Sequence, residues 1–262
     1  MFFNASGDTL ALVTRAEDAS PYQLEWWSVA TRALRSRVIL AESEGGKILS
    51  VSQDRRHLTG CVSHPKEIAL WDTRSGQLER RFAATDNHVW GVELSPDGRR
   101  VAVLIPDKRI DLMDAGTGRL IASIPVRSWK GSAISFTPDS DTLVTGGADN
   151  LIGLWDAQTG ALRSTLSGHG GEIGSLSVSP DGRTLASHAG DGTLKLWSLA
   201  TSRELATLAR EGGPRAVLFS PDGRLLCAPL WAQKVLVWRA PLETTNTPAA
   251  TGLTNQAPAK LR

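Results

Sequence analysis

The stretch Ser179–Trp197, SPDGRTLASHAGDGTLKLW, reads as a turn, a strand, a second turn and a strand ending in Trp, and the chain is built from copies of it. SPDGR returns at Ser95–Arg99 and Ser220–Arg224, TPDSD stands at Thr137–Asp141, SQDRR at Ser52–Arg56 and NASGD at Asn4–Asp8. The position of Gly182 is thus held by Gly7, Arg55, Gly98, Ser140, Gly182 and Gly223, at intervals of 48, 43, 42, 42 and 41. A second marker keeps step: Trp27, Trp71, Met113, Trp155, Trp197 and Trp238, at intervals of 44, 42, 42, 42 and 41. Two markers holding one period over six copies constrain the fold more than any other feature, because a fixed period in this range means one supersecondary unit repeated.

Each unit carries strand signals. Apolar residues alternate at Leu194 and Leu196 and at Val235 and Val237, the two-residue period of a half-buried strand. Pro-Asp-Gly supplies a turn with φ set at Pro and positive φ permitted at Gly, and Asp-Gly before TLKLW is a tight hairpin turn. The fifth copy parses into strands at Ile173–Ser179, Thr184–His188, Thr193–Ser198 and Glu204–Leu208. Four antiparallel strands every ~40–45 residues are the signature of a propeller blade. One such sheet cannot bury both faces alone, so blades stack around an axis. The expectation is an all-β propeller over 1–241 with repeats at about 1–40, 46–84, 88–127, 131–167, 171–210 and 214–241. The segment 242–262, LETTNTPAATGLTNQAPAKLR, has little to bury and is expected to be a disordered tail.

On these residues the chain resembles the WD-repeat β-propeller family over roughly residues 3–240. The resemblance implies a hydrogen-bonded chain of His, Ser or Thr, Asp and Trp locking each blade. Copy five has the full set: His169, Ser187, Asp191 and Trp197. Copy four keeps Thr145, Asp149 and Trp155 but has Arg127 in place of His. Copy three loses the Trp to Met113, and copy six has Ala232 at the Asp position. A buried Trp Nε1–H is a donor only and needs an acceptor, so these residues are expected to be structural and not catalytic.

Composition argues for nothing more specialised. Apolar content of 41% and charged content of 21%, with 29 basic against 27 acidic residues, match an ordinary globular chain and call for neither nucleic acid nor an anionic membrane. Cys61 and Cys227 have no metal or disulfide-framework spacing. The N-terminus is a poor signal peptide, no apolar run approaches membrane length, and a cytoplasmic setting is expected. SGHGGEIG at Ser167–Gly174 lacks the ending of a phosphate loop. Ser63-His64-Pro65-Lys66 falls in a hairpin turn and not at a helix start. No pair of His has metal spacing, and no cofactor or small-molecule ligand is implied.

Function is therefore expected on rim loops, as a protein-binding scaffold without catalysis. The binding candidates are Trp129 with Lys130, His88 with Trp90, Lys108 with Arg109 in the second turn of copy three, and Trp231, since Trp and Arg are favoured interface anchors. The competing reading of Trp90 is packing between blades, and Trp26 is expected in the core. A second functional reading is a C-terminal sensory or targeting module of a larger signalling enzyme, a kinase or protease. A propeller hydrolase or lyase is the third; it requires an ionisable cluster in the central channel, where small side chains are expected. Met1-Phe2-Phe3 supplies only the end of an inner strand and no fourth strand is visible after Trp238, so an upstream part is expected to be missing.

Overall fold

A computed structural model describes residues 2–3, 8–14, 21–41, 47–52, 56–63, 66–86, 89–105, 109–126, 133–209, 216–229 and 235–239. These residues form only strands and turns, in six antiparallel sheets taken consecutively along the chain. Sheet one contains Phe2–Phe3, Thr9–Thr14, Gln23–Ser28 and Leu34–Ile39. Sheet two contains Lys47–Val51, His57–Ser63, Lys66–Asp72 and Leu78–Ala83, and sheet three Gly91–Leu94, Arg100–Ile105, Arg109–Asp114 and Leu120–Pro125. Sheet four contains Ile134–Phe136, Thr142–Gly146, Ile152–Asp156 and Leu162–Leu166, and sheet five Ile173–Val178, Thr184–Ala189, Leu194–Ser198 and Arg203–Ala209. Sheet six has three strands among the described residues, Leu218–Phe219, Leu225–Pro229 and Val235–Arg239. No helix in the described residues is long and apolar enough to cross a membrane.

Side-chain chemistry repeats at the turns. Between the first and second strands of sheet five, Ser179 Oγ accepts the Thr184 amide at 2.9 Å while Asp181 Oδ1 accepts the Arg183 amide at 3.0 Å. Ser95 with Asp97, Thr137 with Asp139 and Ser220 with Asp222 build the same turn. Between the third and fourth strands, Asp156 Oδ1 accepts the amides of Gln158 and Thr159 and the Thr159 hydroxyl. Asp72 with Ser75 and Asp114 with Thr117 repeat that pattern. Each of these three turns closes on a glycine with φ near +70°, a conformation that costs an L side chain energy. The glycine also packs on the fourth strand of the preceding sheet: Gly76 on Val38 and Ile39, Gly118 on Phe82, Gly160 on Ala122.

Five buried clusters join consecutive sheets. Leu24, Leu40 and Trp71 join one to two, and Ile68, Leu70, Val101 and Met113 join two to three. Ile110, Leu112, Phe136 and Leu143 join three to four. Ile152, Leu154, Leu185 and Trp197 join four to five, and Leu194, Leu196, Val217 and Leu226 join five to six. The third-strand marker residue, Trp71, Met113, Trp155 or Trp197, faces the preceding sheet, while the apolar residues alternating with it face the next one. Sheets two to five each carry a register shift at the marker where the third strand meets the fourth, a bulge that turns the outer strand across the marker side chain. Sheet one has the same shift at Trp27. This is the architecture of β-propeller blades. Trp26 is partly buried against the cluster between sheets one and two.

Candidate functional site

The fifth sheet holds one connected polar chain. Trp197 Nε1 donates to Ser187 Oγ at 2.7 Å, and Ser187 Oγ lies 2.7 Å from His169 Nε2. His169 Nδ1 is 2.9 Å from Thr193 Oγ1 and 3.3 Å from Asp191 Oδ2. Burial holds His169 below the usual imidazole range, and this outweighs the pull of Asp191 in the other direction. A neutral ring is consistent with one proton order: Trp197 donates to Ser187, Ser187 to Nε2, and Nδ1–H to Thr193 and Asp191. Burial pushes Asp191 up, but the amides of Gly170 and Thr193 and the Thr193 hydroxyl bring it down to about 2. The order Ser–His–Asp is that of a hydrolase triad. Here the hydroxyl is occupied by an indole N–H, and Ser187 is 0% exposed, so no substrate carbonyl can reach it. The trio ties the link before the first strand to the second and third strands.

Other sheets satisfy their Trp differently. Trp155 Nε1 donates to Thr145 Oγ1 at 2.8 Å, in space that exists because Gly153 has no side chain there. Trp71 Nε1 donates to the Ala41 carbonyl at 2.6 Å, and Trp27 Nε1 to Glu25 Oε2 at 3.1 Å. Asp149, expected to join its sheet's chain, bonds among the described residues only to the Leu151 amide, 3.2 Å away in its own turn. Sheet four has no His to connect that carboxylate to Thr145, and Arg127 lies outside the described residues.

Of the rim candidates, Trp129, Lys130, His88, Lys108 and Trp231 lie outside the described residues. Trp90 is described and is 50% exposed, with its amide bonded to the Leu104 carbonyl at 3.0 Å. It is therefore not packed away between blades. Arg109 requires a correction. It is the first residue of a third strand and not part of a turn, and its Nε donates to Asp111 Oδ1 at 2.8 Å. Asp111 is fully buried and also accepts the hydroxyls of Ser123 and Thr85, so it fixes the guanidinium. Trp90 lies two residues from Val92 and Arg109 four from Met113, so they share the face on which Val92 and Met113 pack against sheet two. Both side chains thus stand on one face at one end of sheet three, two strand spacings or about 10 Å apart.

Asp111 and Glu93 were not singled out from the sequence. Glu93 sits on the first strand of sheet three, where the neighbouring sheets have Ser50, Ser135 and Ser177. One glutamate among serines in aligned copies is the signal that finds it. Burial pushes its carboxyl up from the usual 4.5 to about 7, against a hydrogen bond from Ser50 that lowers it. The native state therefore holds this proton more tightly than the unfolded chain, and the stability this confers is lost as pH rises from about 4.5 through about 7. Glu93→Gln is expected to raise stability at pH 8 by ~2–3 kcal/mol and to leave it nearly unchanged at pH 4.5. Urea unfolding at the two pH values tests this; an equal effect at both refutes the assignment. Among the described residues, no group of three His, Cys, Asp or Glu is placed to hold a metal.

Comparison with curated proteins gave no match. The family model for WD40, "WD domain, G-beta repeat", matches residues 125–156 and 160–198. The two matches fall on sheets four and five, where the polar chain is built from Thr145 with Trp155 and from His169, Ser187 and Asp191 with Trp197. The two matches, together with six antiparallel sheets at one period and a marker residue that faces the preceding sheet in sheets two to five, support a β-propeller of WD40 type.

Proposed function

We propose that residues 1–241 act as a protein-binding scaffold without catalysis of their own, in the cytoplasm, holding a protein partner on the rim. That rim is formed by the links between sheets and the links between second and third strands. WD40 repeats generally mediate protein–protein scaffolding. The observation that carries the reading is Trp90, a large aromatic half exposed at the end of a rigid sheet. On the same face stands Arg109, which the buried Asp111 holds in one orientation. A pre-positioned Trp and Arg lose little side-chain entropy on binding, and such residues dominate interface energies. His88 and Lys108 are their sequence neighbours, and Trp129, Lys130 and Trp231 are the corresponding candidates in the sequences of copies four and six.

Wild type and Trp90→Ala, each confirmed folded, are immobilised and exposed to native lysate, and retained proteins are identified by mass spectrometry. Leu162→Ala, at a residue 52% exposed on an outer strand, is the control. A partner held by wild type and by Leu162→Ala but reduced at least tenfold on Trp90→Ala is the expected result, given hot-spot losses of ~2 kcal/mol or more. A partner retained equally by all three excludes Trp90 from the site. An enzymatic turnover abolished by one substitution would overturn the scaffold reading altogether.

A further inference from the structure

Serine hydroxyls tie the first strands of neighbouring sheets together along their free edges. Ser50 Oγ on sheet two accepts the Leu94 amide of sheet three at 3.2 Å. On sheet five, Ser177 Oγ accepts the Phe219 amide of sheet six at 3.1 Å, and Ser175 Oγ the Val217 amide at 3.0 Å. Ser50 and Ser177 hold the same place in their repeats, two residues before the turn residues Ser52 and Ser179. An edge strand has amides that its own sheet leaves unpaired, and a buried amide needs a partner.

Glu93 occupies that same place in sheet three, and its carboxyl bonds back to the Ser50 hydroxyl. A hydroxyl has a single proton to donate. Ser50 accepts from Leu94, so its proton is directed to Glu93, and the three groups form one chain across the junction between sheets two and three.

Nothing compensates a charge on this carboxyl. Glu93 stands opposite Ala102 on the second strand of its own sheet, where Arg100 is directed to Asp97. On sheet two, Lys47 begins the first strand, at the other end from Ser50. On the second strand of that sheet His57 pairs with Glu79, and Cys61 is a buried free thiol. The first strand of sheet four, Ile134–Phe136, has no titratable residue. Among the described side chains, only burial and the Ser50 bond act on the Glu93 proton, and burial prevails, at about 7 in place of 4.5. Glu93 as a whole is half-buried, so the side chain has a way out to solvent.

We propose that Glu93, Ser50 and the Leu94 amide form a proton-controlled latch between sheets two and three. With Glu93 protonated, the carboxyl stays in the junction and Ser50 holds the Leu94 amide. With Glu93 ionised, a buried charge has one donor and no counter-charge, a state that desolvation disfavours. The side chain then leaves for water and takes the Ser50 hydroxyl off Leu94. The open form binds the proton with the ordinary affinity and the closed form more tightly. Closure is therefore most favoured below about 4.5 and loses ground as pH rises to about 7. Trp90 lies three residues before Glu93, but the latch does not depend on the rim reading, because it is read by amide exchange and not by partner capture.

The test is native-state hydrogen exchange of the full chain, followed amide by amide by NMR and divided by each amide's intrinsic rate. Between pH 6 and pH 8 the protection of the Leu94 amide is expected to fall about tenfold in wild type. At pH 8 its exchange is expected to be insensitive to urea below the unfolding transition, since a local opening exposes little surface. Glu93→Gln, neutral at every pH, is expected to keep Leu94 equally protected at both pH values. Ser50→Ala is expected to lower Leu94 protection at both. A Leu94 rate that rises with urea as global unfolding does would overturn the latch. So would a tenfold fall that persists in Glu93→Gln, or Leu94 protection that Ser50→Ala leaves unchanged.

Discussion

Replacing Ser187 with alanine lowers the stability of the protein by ~2–5 kcal/mol, because two buried polar atoms lose their only shared partner. Trp197 Nε1 and His169 Nε2 each lie 2.7 Å from the Ser187 hydroxyl, and Trp197 is 1% exposed. No water can replace the lost oxygen without opening the junction between sheets four and five. Ser187→Thr is the control. Thr145 accepts the indole of Trp155 in sheet four, so a threonine hydroxyl serves; opposite Lys195 in place of Gly153 its added methyl costs ~1–3 kcal/mol, and the loss is expected to stay below that of Ser187→Ala. Urea denaturation of the two variants decides the matter, and equal losses would mean that packing and not hydrogen bonding holds the blade. The same chain is acid-labile. Burial holds both His169 and His188 below the usual 6.5. The unfolded chain therefore takes up these protons first, and stability is complete above about 6.5 and falls as pH drops through the depressed native values.

Gly76→Ala is expected to cost ~3–5 kcal/mol, in the range reserved for backbone strain and overpacking together. Gly76 has φ +72°, and a Cβ added there would fall inside the van der Waals envelope of the Ile39 carbonyl oxygen and press on Val38. The obstacle is backbone and not a side chain that can swing aside. The Gly76 carbonyl also accepts the Ala41 amide at 2.9 Å, so moving the turn breaks a bond between sheets one and two. Gly116→Ala is the matched control. It lies in the equivalent turn of sheet three, two residues before the strained position, and its Cβ would approach only Asp114 Oδ1 at 3.3 Å. A change within ~0.5 kcal/mol is expected there. Thermal unfolding of both variants tests the pair, and a mild Gly76→Ala would show that the turn does not lock the two sheets.

Residues at the same turn position show that neighbours set the demand for glycine. Arg32 and Ser202 hold it with φ 54° and 55°. Ser202 meets a serine that bonds to it across the junction, and Arg32 belongs to sheet one, which no earlier sheet among the described residues covers. The far face of sheet six is similarly uncovered: Leu218, Val235 and Val237 are 57%, 50% and 40% exposed. The counterparts of Val235 and Val237 in sheet five, Leu194 and Leu196, are buried at 0% and 3%. Alternation within a strand predicts two faces but is blind to whether another sheet stands against each.

The repeat period, the strand alternation and the turn chemistry were legible in the residues themselves, since they rest on contacts within one copy. Ser179 and Asp181 build their turn from neighbours two to five residues away, and such local geometry needs no tertiary context. The marker Trp and its hydroxyl partner in sheets four and five were legible for a related reason: ten residues separate them in each, on adjacent strands of one hairpin. Contacts between copies decided the rest. The burial of Asp111 with Thr85, 26 residues away, the upward shift of Glu93 and the exposure of Trp90 all depend on how one sheet meets the next. A repeat makes every copy look equivalent in sequence, while burial and charge are set by the particular side chains that each copy turns towards its neighbour.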